Sequence, residues 1–248
     1  MIEIRHIHKS FGSVEVLKDI SATFSDGEVA AIIGPSGGGK STLIRCINGL
    51  ELLSAGDIHV DGKSVRDRAA LTDIRTSCPM VFQQFNLYPH LKVLANITLA
   101  PIVALRRPRE AAEAKAHELL TMVGLGDRAN AYPAQLSGGQ QQRVGICRAL
   151  AMEPRHILLD EVTSALDPEM TAEVLIVIER LAKAGTTMIL VTHEMEFARR
   201  VADRALFMEA GKLIADQPID QFFGKTQDPR IQRFLNKMAH SKREADTP

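Results

Sequence analysis

The sequence predicts an α/β fold, a largely parallel sheet with helices in its crossovers, and three observations carry that prediction. Short apolar runs at 29–33 (VAAII), 80–82 (MVF), 157–159 (ILL) and 187–191 (TMILV) have the length and β-branched character of buried strands. Helical stretches lie between them, as right-handed crossovers in a parallel sheet require. Each run also ends on polar groups: a glycine-rich turn, Gln83, the Asp160-Glu161 pair and His193. In such sheets ligands bind beyond the carboxyl ends of the strands.

The elements follow in chain order. Residues 2–8 and 16–24 read as strands, joined by a turn over 9–13 that leaves Phe11 at a strand end. By residue type alone, Phe11 suits a core better than a ligand. Asp26-Gly27 is a turn signal before the run 29–33, and residues 57–66 read as a strand pair folded at Asp61-Gly62. A helix opens at Ser41. Residues 109–123 place Ala112, Ala116, Leu119, Leu120 and Val123 at helical spacing, so roughly 86–150 forms a mostly helical insert. A helix over 169–184, a turn at Ala210-Gly211 and a helix near 229–238 complete the chain. The folded domain is expected over 1–236, with 237–248 as a flexible C-terminal tail.

Bulk properties narrow the class. The chain of 248 residues can hold one full core, and 45% hydrophobic with 24% charged residues is ordinary for a soluble fold. Thirty basic residues balance thirty acidic ones, which argues against a nucleic-acid partner or a membrane surface held by bulk charge. Cys46, Cys78 and Cys147 form no C-x-x-C pair and read as reduced cytosolic thiols. No signal peptide is expected at the start. The longest apolar stretch, 93–105, is too short to span a bilayer and is broken by Asn96, Thr98 and Pro101.

The chemistry concentrates at 34–42, GPSGGGKST, where Gly34 to Ser41 reads G-x-x-x-x-G-K-S. This is a phosphate-binding loop. Its glycines turn successive N–H groups inward, and the following helix adds the positive end of its dipole. Lys40 reaches β- and γ-phosphates, and the Ser41 hydroxyl ligates Mg²⁺. A flexible glycine linker would not sit between a buried strand and a helix. Asp160 follows an apolar strand, as the Mg²⁺-side carboxylate of such a site does. Glu161 beside it suits a general base for water, against the plainer reading of a salt-bridged structural Glu. His193 is placed to reach the γ-phosphate or the attacking water, and Gln83 offers an amide oxygen to Mg²⁺ or that water. Further along, Ser137 and Gln140 form an S-x-x-Q capping box that suffices to start a helix. Gly138 and Gly139 directly after it are unfavourable there unless something approaches the backbone closely. A second bare helix start is a second anion site, lying in the other subdomain, so it is expected to meet the ATP of another protomer.

Taken together, these motifs resemble the ATP-binding subunit of an ABC transporter through about residue 236. Residues 34–42 match Walker A (Gly34, Pro35, Ser36, Gly37, Gly38, Gly39, Lys40, Ser41, Thr42), with Gly38 where the family often has Ser. LSGGQ at 136–140 matches the signature, HILLDE at 156–161 matches Walker B with the catalytic Glu, and SALD at 164–167 matches the D-loop ending at Asp167. Gln83 falls on the Q-loop, His193 on the switch His, and Phe11 on the aromatic that stacks on adenine. The resemblance implies a P-loop NTPase (RecA-like) mixed sheet core, an N-terminal antiparallel β-subdomain and a helical signature subdomain. It further implies ATP and Mg²⁺, and a head-to-tail homodimer in which one Walker A and the other chain's signature enclose each nucleotide. The stretches 81–97, 131–144 and 191–213 resemble subunits of polar amino acid importers. That likeness implies a membrane permease contacted around 85–90, a separate solute-binding protein, and a peripheral place on the cytoplasmic face of the membrane. Other cargoes, such as methionine or a lipoprotein, are the alternative within the class. A soluble ABC ATPase is the alternative outside it, although the paired cassettes or long coiled-coil insertion usual there are missing from this sequence. Val162 stands where the family usually has Pro, Cys78-Pro79 where Gly is common, and Cys147 where Ala is usual.

Overall fold

The structure is a computed structural model that describes residues 1–224, 226 and 228–245. Strands β1 (Ile2–Phe11) and β2 (Val14–Phe24) pair antiparallel through a turn at Gly12-Ser13. Both run further than 2–8 and 16–24, because register shifts between Ile4 and Ser10 absorb the polar stretch that reads as a turn. Next come β3 (Val29–Ile33) and α1 (Lys40–Ile47), which opens one residue before Ser41. The β4 (Ala55–Val60) and β5 (Lys63–Ser64) hairpin folds at Asp61 and Gly62, with φ of 50° and 79°. Positive φ at both central residues matches the right-handed strand twist. A short helix, α2 (Leu71–Ser77), precedes β6 (Met80–Val81).

The insert expected over 86–150 holds α3 (Val93–Ala104), α4 (Arg109–Met122) and α5 (Gly138–Leu150). The core resumes with β7 (His156–Asp160), α6 (Pro168–Lys183), β8 (Thr187–Val191) and α7 (Met195–Val201). It closes with β9 (Arg204–Glu209), β10 (Lys212–Pro218), α8 (Ile219–Gly224) and α9 (Pro229–Ala245). Helix α9 extends over 237–245, within the segment expected as a tail. Residues 246–248 lie outside the described residues. No described helix is long and apolar enough to cross a membrane.

Two sheets organise the molecule. The six-stranded sheet has the order β10-β9-β3-β8-β7-β6, parallel from β9 to β6 with β10 antiparallel at one edge. The four-stranded antiparallel sheet runs β2-β1-β4-β5. The central strands are buried on both faces, and alternate side chains separate into two cores. Ala30, Ile32, Leu158, Ile189, Val191, Leu206 and Met208 point to one face. There they meet Leu43, Ile44 and Ile47 of α1 and the inner side of the four-stranded sheet. Val29, Ala31, Ile33, Ile157, Leu159, Met188, Leu190 and Phe207 point to the other face, against α5, α6, α7 and the C-terminal helices. Helix α1 is thereby clamped between two sheets. The lip of the phosphate loop stays at the surface.

All three cysteines are buried and unpaired. Burial pushes the Cys46 and Cys147 thiols up to about 12, and Cys78 higher still. The folded protein at pH 8 should therefore react with a thiol-specific chromogenic disulfide only as fast as it unfolds. All three thiols should titrate at once in denaturant, and rapid labelling of the native chain would contradict this burial.

Candidate functional site

The carboxyl ends of β3, β7 and β8 meet at one edge of the six-stranded sheet, and the glycine-rich turn begins there. Gly34 takes φ +150° and lies so close to β9 that a Cβ on it would stand 2.0 Å from the Met208 carbonyl oxygen. Gly39, at φ +95° as the N-cap of α1, packs against β2, with a built Cβ 3.0 Å from the Val16 carbonyl oxygen. Between them, the Gly38 carbonyl accepts from the Gly211 N–H at 3.2 Å. The loop backbone is thus pressed against three neighbouring segments. Residues 36–42, Val16 and Glu161 line a cavity of about 450 Å³. Ser36 and Gly37 form its exposed lip, and Pro35 is half-buried behind them.

Lys40 is 4% exposed, and its ammonium donates to the carbonyls of Gly34 and Pro35, each at 2.9 Å. Burial lowers its pKa, while Glu161 and Asp160 pull it back up. Ser41 and Thr42, half-buried on the first turn of α1, share the cavity wall.

Asp160 ends β7 with its side chain 2% exposed. One carboxylate oxygen accepts from Arg45 Nη2 at 3.1 Å, and the other is buried with no partner among the described residues. An unsatisfied carboxylate oxygen is costly and fits a hard divalent cation such as Mg²⁺, held directly or through water. Glu161 takes φ +48°, and its N–H donates to the Val191 carbonyl at 3.0 Å, tying it to the end of β8. His193 Nε2 stands 3.0 Å from Glu161 Oε1. An ionised carboxylate only accepts, so Nε2 carries the proton and orients the carboxylate. A Pro at 162 would push residue 161 toward extended backbone, so the buried Val162 is compatible with the left-handed Glu161.

The remaining expected residues lie further out. Phe11 is 48% exposed at the β1–β2 turn, with the Lys9 ammonium 4.3 Å from its ring centroid, so the core assignment suggested by residue type does not hold. Gln83 is exposed, outside the cavity lining, and makes no hydrogen bond to a described residue. Ser137 caps α5 as its spacing requires: the Gln140 N–H donates to Ser137 Oγ at 3.3 Å, and the Ser137 N–H donates to Gln140 Oε1 at 3.0 Å. The glycines after it also answer to this chain. A Cβ on Gly138 would meet Leu166 at 3.1 Å and Phe85 at 3.3 Å, and one on Gly139 would meet the Met170 Cβ at 2.9 Å. Asp167 caps α6, accepting from the Met170 N–H at 2.9 Å. Neither Ser137 nor Asp167 lines the phosphate cavity. Arg45 and Met170 are additions of the structure. No local pattern marks either one, because each meets its partner through tertiary packing.

A glycine loop between strand and helix, a buried Lys and two consecutive carboxylates at a strand end define a P-loop nucleoside triphosphate hydrolase. The chain matches the ABC transporter family over residues 17–164. It is 52% identical to the glutamine transport ATP-binding protein of Geobacillus stearothermophilus over 96% of this chain and 99% of that one. It is 51% identical to the glutamate/aspartate import ATP-binding protein of Escherichia coli (strain K12) over 97% of this chain and 100% of that one. Among solved structures it superposes on the ATP-binding cassette MJ0796, described as dimeric in a post-hydrolysis state with ADP and Pi. That match has TM-score 0.80 and 35% identity, covering 88% of this chain and 99% of the other. The structure of cbiO1 from Clostridium perfringens, part of the ABC transporter complex cbiONQ, matches with TM-score 0.81 and 26% identity over 98% of both chains. The chain belongs to the ABC transporter family, as an ATP-binding subunit of the polar amino acid uptake group, and is an ATPase coupled to transport.

The two loop glycines should differ on substitution. Gly34→Ala should cost more than 3 kcal/mol, roughly the scale of a strained and overpacked site. Gly37→Ala, with open space around its φ of +75°, should cost about 1–2 kcal/mol. Urea unfolding of the two variants measures the difference, and equal midpoints would contradict the close approach to Met208.

Proposed function

We propose that two copies of this chain close head to tail over two molecules of ATP with Mg²⁺, and that closure drives a permease importing a polar amino acid. One observation carries the reading: a single chain holds two separate phosphate-facing features. The cavity under the phosphate loop contains Lys40, Ser41 and Glu161, whereas the capped start of α5, with Ser137, Gly138 and Gly139, lies outside it. The dimeric cassettes among its structural neighbours support the same arrangement.

In this reading the loop N–H groups and Lys40 hold the β- and γ-phosphates, Thr42 and Ser36 flank them, and Phe11 stacks on adenine through its open face. Ser41, Gln83 and Asp160 hold Mg²⁺, which when bound offsets the phosphate charge. Glu161 accepts the proton of the attacking water while His193 keeps its carboxylate oriented toward the cavity. Ser137, Gly138, Gly139 and Gln140 of the second copy, with its Asp167 nearby, complete the site from the far side.

The permease contact has a ready place. A groove of about 730 Å³ runs between α2, β6, α3 and α5, floored by Met80, Phe82 and Gly145 and rimmed by Tyr88, Leu99 and Val103. The last three are exposed apolar residues. Asn96 fastens the rim, accepting from the Tyr88 N–H at 2.8 Å and donating to the Tyr88 and Leu91 carbonyls at 3.1 and 3.0 Å. An apolar, rigidly bordered groove suits a short helix of a membrane partner. In this reading the protein lies at the cytoplasmic face of the membrane, with a solute-binding protein acting from the other side. The relatives named for glutamine, glutamate/aspartate and arginine support a polar amino acid as cargo.

Glu161→Gln should lower turnover by about 10²–10⁴-fold while leaving ATP bound, and should trap a dimer visible by light scattering. Unchanged hydrolysis would remove Glu161 from its role. Lys40→Ala should instead weaken binding of a fluorescent ATP analogue to the single chain. Ser137→Arg should block hydrolysis with that binding intact, and normal turnover in this variant would sink the two-chain site.

A further inference from the structure

We infer that Met170 is a positioning residue of the second half-site, its thioether occupying the Gly139 amide until a phosphate of the other chain's nucleotide displaces it. The assignment rests on the two-chain site proposed above and names the group that moves when that site closes.

The first amides of α5 lack a helical partner. Two of them are satisfied within the chain, and both weakly. The Gln140 N–H reaches Ser137 Oγ at 3.3 Å, beyond the usual N–H···O range. The Gly139 N–H reaches Met170 Sδ at 3.4 Å, and a thioether is a weak acceptor. Such an acceptor keeps a buried donor from going unpaired yet yields readily to a phosphate oxygen, which binds amides far more strongly.

Met170 is fixed from its other side. Its own N–H donates to Asp167, the N-cap of α6, at 2.9 Å. One turn further along, Arg143 repeats the link between the same two helices, donating to Glu173 at 2.9 Å. The absence of a side chain on Gly139 is what allows the contact, since a Cβ there would collide with Met170. Release of the Gly139 amide therefore loosens one of the two links between α5 and the first turns of α6. The first turn follows the loop from Glu161, so contact with the second chain's nucleotide is transmitted to the segment beside the general base.

The test uses two substitutions of similar volume and opposite chemistry in the full chain carrying Glu161→Gln. Met170→Leu removes the acceptor, and Met170→Gln supplies an amide oxygen, a stronger one. The ATP concentration giving half-maximal dimer, read by light scattering, should fall about fivefold for Leu and rise about fivefold for Gln, the scale of one hydrogen bond. Binding of a fluorescent ATP analogue to the single chain should not change. Hydrogen exchange of 138–140 in the single chain is the second reading: faster than the parent for Leu, slower for Gln. Packing loss alone would shift both variants in one direction, and that result, or no shift, overturns the role of Met170. Failure of the Glu161→Gln parent to dimerise with ATP overturns the two-chain site and this assignment with it.

Discussion

The nucleotide edge depends on one steric constraint, the approach of the phosphate-loop backbone to neighbouring main-chain carbonyls. Gly34 lies against the Met208 carbonyl of β9 and Gly39 against the Val16 carbonyl of β2, with no room for a side chain at either place. These contacts bring strands from both sheets onto one short loop. They set the direction in which α1 leaves and therefore where Lys40 and Ser41 stand. Glu161 reaches the same cavity by a separate route, its N–H donating to the Val191 carbonyl at the end of β8. The site is assembled by backbone, and the side chains are delivered onto it.

That distinction explains what could be read from the sequence. The loop, the strand ends bearing Asp160, Glu161 and His193, and the capping box at Ser137 are local patterns, and the structure reproduces them. The buried strands were legible because each is a short apolar run, although only the structure shows Ala30 and Ile32 in one core and Val29, Ala31 and Ile33 in the other. Short helices were not legible. Helix α2 buries only Ile74, and α7 buries only Phe197 and Ala198, too few positions to display a helical period. Tertiary pairings were invisible as well. Arg45 and Asp160 are 115 residues apart, and nothing near either one marks its partner. The same holds for the glycines at 138 and 139, whose spacing signalled a close approach without naming Leu166, Phe85 and Met170.

The helical insert is joined to the core in two different ways. Its α5 is strapped to α6 by Met170 and Arg143, so the helix start at Ser137 and the segment after Glu161 share contacts. Its other border is the apolar groove beneath α3, alongside the exposed Gln83 loop. This second seam has apolar walls but is crossed by hydrogen bonds from Gln142 to the Phe82 carbonyl and from Arg148 to the Asn86 carbonyl.

The Lys40 ammonium, buried and already satisfied by two carbonyls of its own loop, has a consequence for which anions the pocket admits. With two of its three N–H donors held there, the ammonium can give an arriving ion more than one bond only if that ion draws it off the carbonyls. Chloride offers one diffuse charge and no oxygen geometry to match the ring of amides, so it gains too little to do so. A polyphosphate brings several oxygens at once and replaces both lost bonds. The loop thus favours a multivalent anion whose oxygens match its N–H groups over a monovalent one.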